Sequence, residues 1–236
     1  MAPKLLITWE MTLLREIQML LERTYGDTGV NLEDFLLSPQ RCRTLSEMAG
    51  ASAAQISDLG RVFLRIIGGK LRMGIHYDPS VIRTLEGNNP ACGLNDENIL
   101  AFMVFLEELD HAVHAALKFR EGKRDIHTEA FVRDLEIQAK VDTYLILQKY
   151  CAFFNKPPRL TEADRRWLKA CVFDRDNAVF DDPLLAARYH ETNRLARRYA
   201  RHLDCLPRTR RTAEIRRFRK LTYGQKRDHI AVCGAR

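Results

Sequence analysis

No apolar run in the 236-residue chain approaches the ~18 to 20 residues needed to cross a bilayer, so no membrane-spanning helix is expected. Glu10 interrupts the N-terminal apolar residues before a long signal core accumulates, and a cytoplasmic protein is the expectation. The six cysteines, at positions 42, 92, 151, 171, 205 and 233, include no Cys-x-x-Cys pair. That spacing argues against a thiolate zinc site or a redox motif and predicts free, buried thiols. Gly-x-Gly-x-x-Gly, the P-loop and Gly-x-Ser-x-Gly are also missing, which removes the usual signatures of nucleotide binding and serine hydrolysis. There is no internal repeat and no low-complexity linker.

What remains is an ordinary globular composition, 46% hydrophobic and 29% charged, with enough length to bury a sizeable core. Its net charge of +7 is unevenly spread. Residues 1–185 carry 23 Lys+Arg against 27 Asp+Glu, whereas residues 186–236 carry 15 against 4. The spacing of apolar residues predicts a mainly α-helical fold with one β-hairpin. A helix is expected over residues 9–24, from Leu13, Ile17, Leu20 and Leu21, with short helices over 31–37 and 44–48 separated by Pro39. Two β-prone runs within 61–77 flank Gly68-Gly69 and predict the hairpin, with Arg65, Lys70 and Arg72 toward solvent. A short helix follows over 80–85.

Two long helices should then form an antiparallel helical hairpin over 96–155, the first capped by Asn95 or Asp96 and the second by Thr128. Shorter helices are expected over 161–171, 183–203, 213–220 and 223–230. The simplest division is one domain over 1–182 and a basic helical extension over 183–236 packed on it.

The densest chemistry lies in the first long helix. Five of the eight residues from Glu107 to His114 are ionisable, yet they continue the apolar stretch 99–106. Buried charges are costly unless they are paired or bound to metal, so the run marks a candidate site. On a helical wheel Phe102, Phe105, Leu106, Leu109, Val113 and Leu117 share one face, while Glu107, His111 and His114 fall together on another. Two imidazoles and a carboxylate suit Zn²⁺ or Fe²⁺. Asp110 and His114, four apart, alternatively form a pair that orients the imidazole. A network of ion pairs and hydrogen bonds without metal is the competing expectation.

Glu107-Glu108-Leu109-Asp110-His111 resembles the His-Glu-x-x-His helix of zincin-like metallopeptidases, with Glu in place of the first His, and the preceding hairpin and following helix are similar in order. The resemblance implies His111 and Glu107 as ligands, Glu108 as general base on a metal-bound water, and a further carboxylate, Glu136 or Glu129, from downstream. With His114 added, the expected metal set is Glu107, His111, His114 and Glu136. The pair Glu108-x-x-His111 also resembles the motif of ferritin-like di-iron proteins, but no second Glu-x-x-His follows. Asp134, Gln138 and Asp142 form a stripe on the next helix, and Asp142 is the residue best placed there to face the first.

The expected function is therefore a metal-binding enzyme or enzyme-like domain, hydrolytic with zinc and oxidative with iron. The alternative is a non-enzymatic module that binds nucleic acid or an acidic protein through 194–227. Arg194, Arg197, Arg198, Arg201, Arg208, Arg210, Arg211, Arg216, Arg217, Arg219 and Lys220 supply charge for phosphate contacts, and the expected binding is salt-sensitive. Pairing of these groups with Asp174, Asp176, Asp181 and Asp182 is the structural reading of the same charges. His76, His127 and His202 are expected to be surface or satisfied histidines.

Overall fold

A computed structural model describes residues 12–49, 59–174 and 183–233. Among these residues the chain is mainly α, with nine α-helices and a single two-stranded antiparallel hairpin. Helix α1, Leu13–Tyr25, starts where the Thr12 side chain accepts a hydrogen bond from the Arg15 amide at 3.2 Å and stops at Gly26, whose φ of 118° suits glycine. The expected start of this helix at residue 9 lies outside the described residues. Gln18, fully buried on α1, donates to Val30 O at 2.7 Å and accepts from Leu32 N at 3.1 Å, so the side chain ties down the following loop.

Residues 31–37 form only a 3₁₀ turn, Leu32–Phe35. Pro39 opens α2, Pro39–Ala49, instead of separating two helices, because the first position of a helix needs no amide donor. Strands β1, Gly60–Ile67, and β2, Lys70–Tyr77, pair from Gly60↔Tyr77 to Ile67↔Lys70. Gly68 and Gly69, at φ 57° and 73°, make the two-residue turn. Arg65, Lys70 and Arg72 are exposed as the alternation requires. At Gly60 an added Cβ would come within 2.6 Å of Glu108 Cγ and 2.9 Å of Val104 Cγ1, so the absence of a side chain lets the hairpin lie against the next long helix.

Asp78-Pro79 both ends β2 and starts α3, Pro79–Gly87, with Asp78 capping the Ser80 amide at 2.8 Å. The first long helix, α4, is Ile99–Arg120, and the second, α5, is Glu129–Phe154. Thr128 caps α5 through the Phe131 amide, as expected. Helix α4 starts at Asn98 instead, without a side-chain cap bond. Asn95 Oδ1 accepts from the Glu97 and Asn98 amides at 3.0 and 3.1 Å, so it shapes the turn before the helix.

Helix α6, Glu162–Lys169, opens with a Thr161/Asp164 capping box and runs into a π turn, Ala170–Asp174. The last three helices are α7, Pro183–Cys205; α8, Arg208–Lys220; and α9, Tyr223–Cys233. Phe102, Leu106, Leu109 and Val113 of α4 share one apolar core with Ile137, Val141, Tyr144 and Leu147 of α5 and with Leu195, Tyr199, Leu203, Phe218 and Ile230 of α7 to α9. Truncating any of these leucines to alanine should cost about 2–5 kcal/mol. Residues 183–233 therefore help build the central core.

Candidate metal centre

Helix α4 places its ionisable run against α5, and the two helices sort it into an outer and an inner tier. The outer tier is partly solvated. Glu107 accepts a hydrogen bond at 3.0 Å from Lys140 of α5, whose Nζ also donates to the Tyr189 hydroxyl of α7 at 3.2 Å. Burial works against the Lys140 charge, but Glu107 and Tyr189 outweigh it and hold the amine above its ordinary pKa. His111 Nδ1 lies 3.8 Å from Glu108 Oε2, and these two side chains are 15% and 14% exposed. Burial again opposes ionisation, yet Glu108, Glu136 and Asp110 push the His111 pKa up to about 9. Glu136, buried on α5, has its carboxyl raised mainly by burial, against the opposing pull of His111.

The inner tier is dry. His114 is fully buried, and its Nε2 faces two carboxylates, Asp142 Oδ2 at 3.0 Å and Asp110 Oδ1 at 3.2 Å. A ring nitrogen carries at most one proton, so it cannot donate a full hydrogen bond to each. Asp142 is the better satisfied of the two: the Tyr25 hydroxyl donates to its Oδ1, and Gln138 Nε2 donates to its Oδ2 at 2.9 Å. Burial would raise the Asp142 carboxyl, but His114, Tyr25 and Gln138 together hold its pKa below the ordinary value. Neither Asp110 oxygen has a hydrogen-bond partner of good geometry. Burial consequently dominates at Asp110 and, with Asp142 nearby and His114 opposing, raises its carboxyl to about 6. The ligand atoms of Asp110, His114 and Asp142 lie within 4.8 Å of one another.

A buried chain of polar groups continues from this point. Gln138 Oε1 accepts from Lys226 Nζ of α9 at 2.8 Å. Lys226 pairs with Asp134 at 2.7 Å, and Lys118 of α4 reaches the other Asp134 oxygen at 2.5 Å. Burial lowers the Lys226 pKa to about 8, with Asp134 opposing and Lys118 reinforcing the shift.

The structure thus divides the expected metal set. Glu107 goes to Lys140, His111 to Glu108 and Glu136, and His114 to the two aspartates. Glu129 ends at the start of α5, paired with Arg133 at 2.9 Å and Arg188 at 3.2 Å. Asp142 does face the first helix, and Asp110 does pair with His114. Tyr25 and Lys226 were not anticipated; they lie 117 residues from Asp142 and 88 from Gln138 in sequence, and no local spacing connects them. Comparison with known proteins returned no matching family model, no matching curated protein and no matching solved structure.

Proposed function

We propose that the protein is a metal-dependent, enzyme-like domain whose ion, zinc or iron, is held by Asp110, His114 and Asp142 in the seam between α4 and α5. The carrying observation is the convergence of two buried carboxylates on one imidazole nitrogen, with the Asp110 oxygens otherwise unsatisfied. A divalent cation at that point would replace the single shared proton and compensate both carboxylates. Asp110 and His114 supply ligands at i and i+4 of one helix, the spacing used on zincin-like helices, and His111 stands at i+1. The ion would polarise a bound water if it is zinc, giving hydrolysis, or support oxidation if it is iron. In that reading Glu108 serves as general base and protonated His111 as general acid, both from the partly solvated tier.

Elemental analysis of protein purified without chelators tests the assignment, together with the shift in melting temperature on adding Zn²⁺ or Fe²⁺. Bound metal that disappears in the Asp110→Asn/Asp142→Asn double variant is the expected result. Metal-free protein with an unchanged melting temperature would overturn it.

A second reading, binding of nucleic acid or an acidic protein through 194–227, is favoured by the exposure of Arg194, Arg201, Arg208 and Arg210. Part of the basic set is already engaged: Arg197 pairs with Asp174, Arg219 with Glu121, and Arg216 donates to Thr24 O at 2.6 Å. Asp176, Asp181 and Asp182 lie outside the described residues. Reversing Arg201, Arg208 and Arg210 to Glu should abolish salt-sensitive binding to a polyanion; binding unchanged by that reversal would remove this reading.

A further inference from the structure

A second group of ligand-type side chains lies where α7, α8 and α9 meet, apart from the α4–α5 seam. His202 projects from α7, Glu214 from α8, and His229 and Cys233 from α9, where a spacing of four puts the last two on one face. Their atoms converge. One nitrogen of His202, a carboxylate oxygen of Glu214 and the sulfur of Cys233 lie within 4.8 Å of one another. His229 Nε2 is 2.6 Å from Glu214 Oε1 and 3.4 Å from Cys233 Sγ, and His202 Nε2 is 3.9 Å from the same Glu214 oxygen.

We propose that His202, Glu214, His229 and Cys233 form a four-ligand zinc site that ties the last three helices together. Imidazole, carboxylate and thiolate are all zinc ligands, and Zn–N and Zn–S bonds of about 2.0–2.3 Å place neighbouring ligand atoms roughly 3.3–3.7 Å apart in a tetrahedron. The separations of 2.6, 3.4 and 3.9 Å bracket that range, and closing the shell requires the His202 and His229 rings, 6.4 Å apart between centroids, to turn toward one ion. The same atoms do not make a Cys-His-Glu catalytic triad. A triad needs the nucleophile on one ring nitrogen and the carboxylate on the other, whereas His229 presents Nε2 to both.

The surroundings support a structural ion. Tyr199 stacks on Phe218 with ring centroids 3.7 Å apart, joining α7 to α8, and the Tyr199 hydroxyl donates to Glu214 Oε1 at 3.3 Å, which orients the carboxylate. The cluster is half-buried, so an ion can enter from solvent without opening the core. Arg217 Nη2 donates to His229 Nδ1 at 3.2 Å, which leaves the ring proton on Nε2, facing Glu214. Loading zinc moves that proton to Nδ1 and sends the exposed Arg217 out to water, while the Cys233 thiol releases its proton to solvent.

Cobalt separates this site from the seam, because only the helical corner contains sulfur. Full-length protein, stripped of metal with a chelator, is titrated with Co²⁺ and followed in the near-ultraviolet and visible. A stoichiometric thiolate-to-cobalt charge-transfer band with tetrahedral visible bands is expected. It should vanish in Cys233→Ser, weaken about tenfold or more in affinity in His202→Ala, and persist in Asp142→Asn. No thiolate band, or a band unchanged in Cys233→Ser, overturns the proposal.

Discussion

The α4–α5 seam and the α7–α8–α9 corner are both polar clusters between helices, but they stand in opposite relations to water. In the seam, Asp110, His114 and Asp142 are completely removed from solvent, and every unmet hydrogen bond is a standing cost. In the corner, His202, Glu214, His229 and Cys233 keep contact with water, which satisfies what the protein does not. The difference teaches that a cluster's stability role and its capacity to take a ligand are separate properties. The seam is part of what holds the helices in register. The corner is partly solvated, so losing a single side chain there costs the metal-free fold little.

The sharpest way to break this contrast is to remove one group from each cluster and compare. Asp142→Ala leaves Tyr25, Gln138 and His114 facing a void and should destabilise the metal-free protein by about 3–5 kcal/mol, measured by urea unfolding. A loss below about 1 kcal/mol would show that the seam does not hold the helices in register. Gly60→Ala acts on the seam's outer edge, since the new methyl meets Glu108 Cγ and Val104 Cγ1; about 1–3 kcal/mol is expected, with displacement of the hairpin visible in amide chemical shifts.

A pH titration sharpens the comparison further. The Lys226 pKa is about 8 in the fold against 10.5 unfolded, so both states hold the proton below pH 8. Between pH 8 and 10.5 the unfolded chain binds more protons than the folded one, and stability must rise with pH across that window. Burial sets the effect, with Lys118 reinforcing it and Asp134 and Asp142 opposing it. Subtracting the unfolding curves of Lys226→Met from those of the natural chain should expose the rise; a flat difference would contradict the lowered pKa of the buried amine. At the other end of the scale, Cys233→Ser in metal-free protein should change stability by less than about 1 kcal/mol, because the side chain is only half-buried.

The two clusters were also unequally legible in the sequence. Glu107 to His114 announced itself because five ionisable residues interrupt an apolar helix, and periodicity alone placed Asp142 opposite. A helical wheel, however, averages over a broad face and treats Glu107, His111 and His114 as equivalent. It contains no information about Lys140, which holds Glu107, or about Asp142, which holds His114. The corner gave no comparable signal. His202, Glu214 and Cys233 are separated by loops whose geometry no spacing rule supplies, and only His229 and Cys233 share a helical turn. The fold was easier to read, since the hairpin, the two long helices and α7 each carry their own period. Misplacements at Pro39, at the start of α4 and at the start of α8, which begins at Arg208 and not at 213, fell at helix ends, where boundaries are hardest to read.

Lys226 has one more consequence. It donates to Gln138, which precedes it by 88 residues. During synthesis the α4–α5 helical hairpin therefore leaves the ribosome well before the amine that completes its buried hydrogen bonds. The order of translation places the closing of the inner network after α9 has emerged, and any truncation before α9 leaves that network with an acceptor and a carboxylate oxygen still waiting.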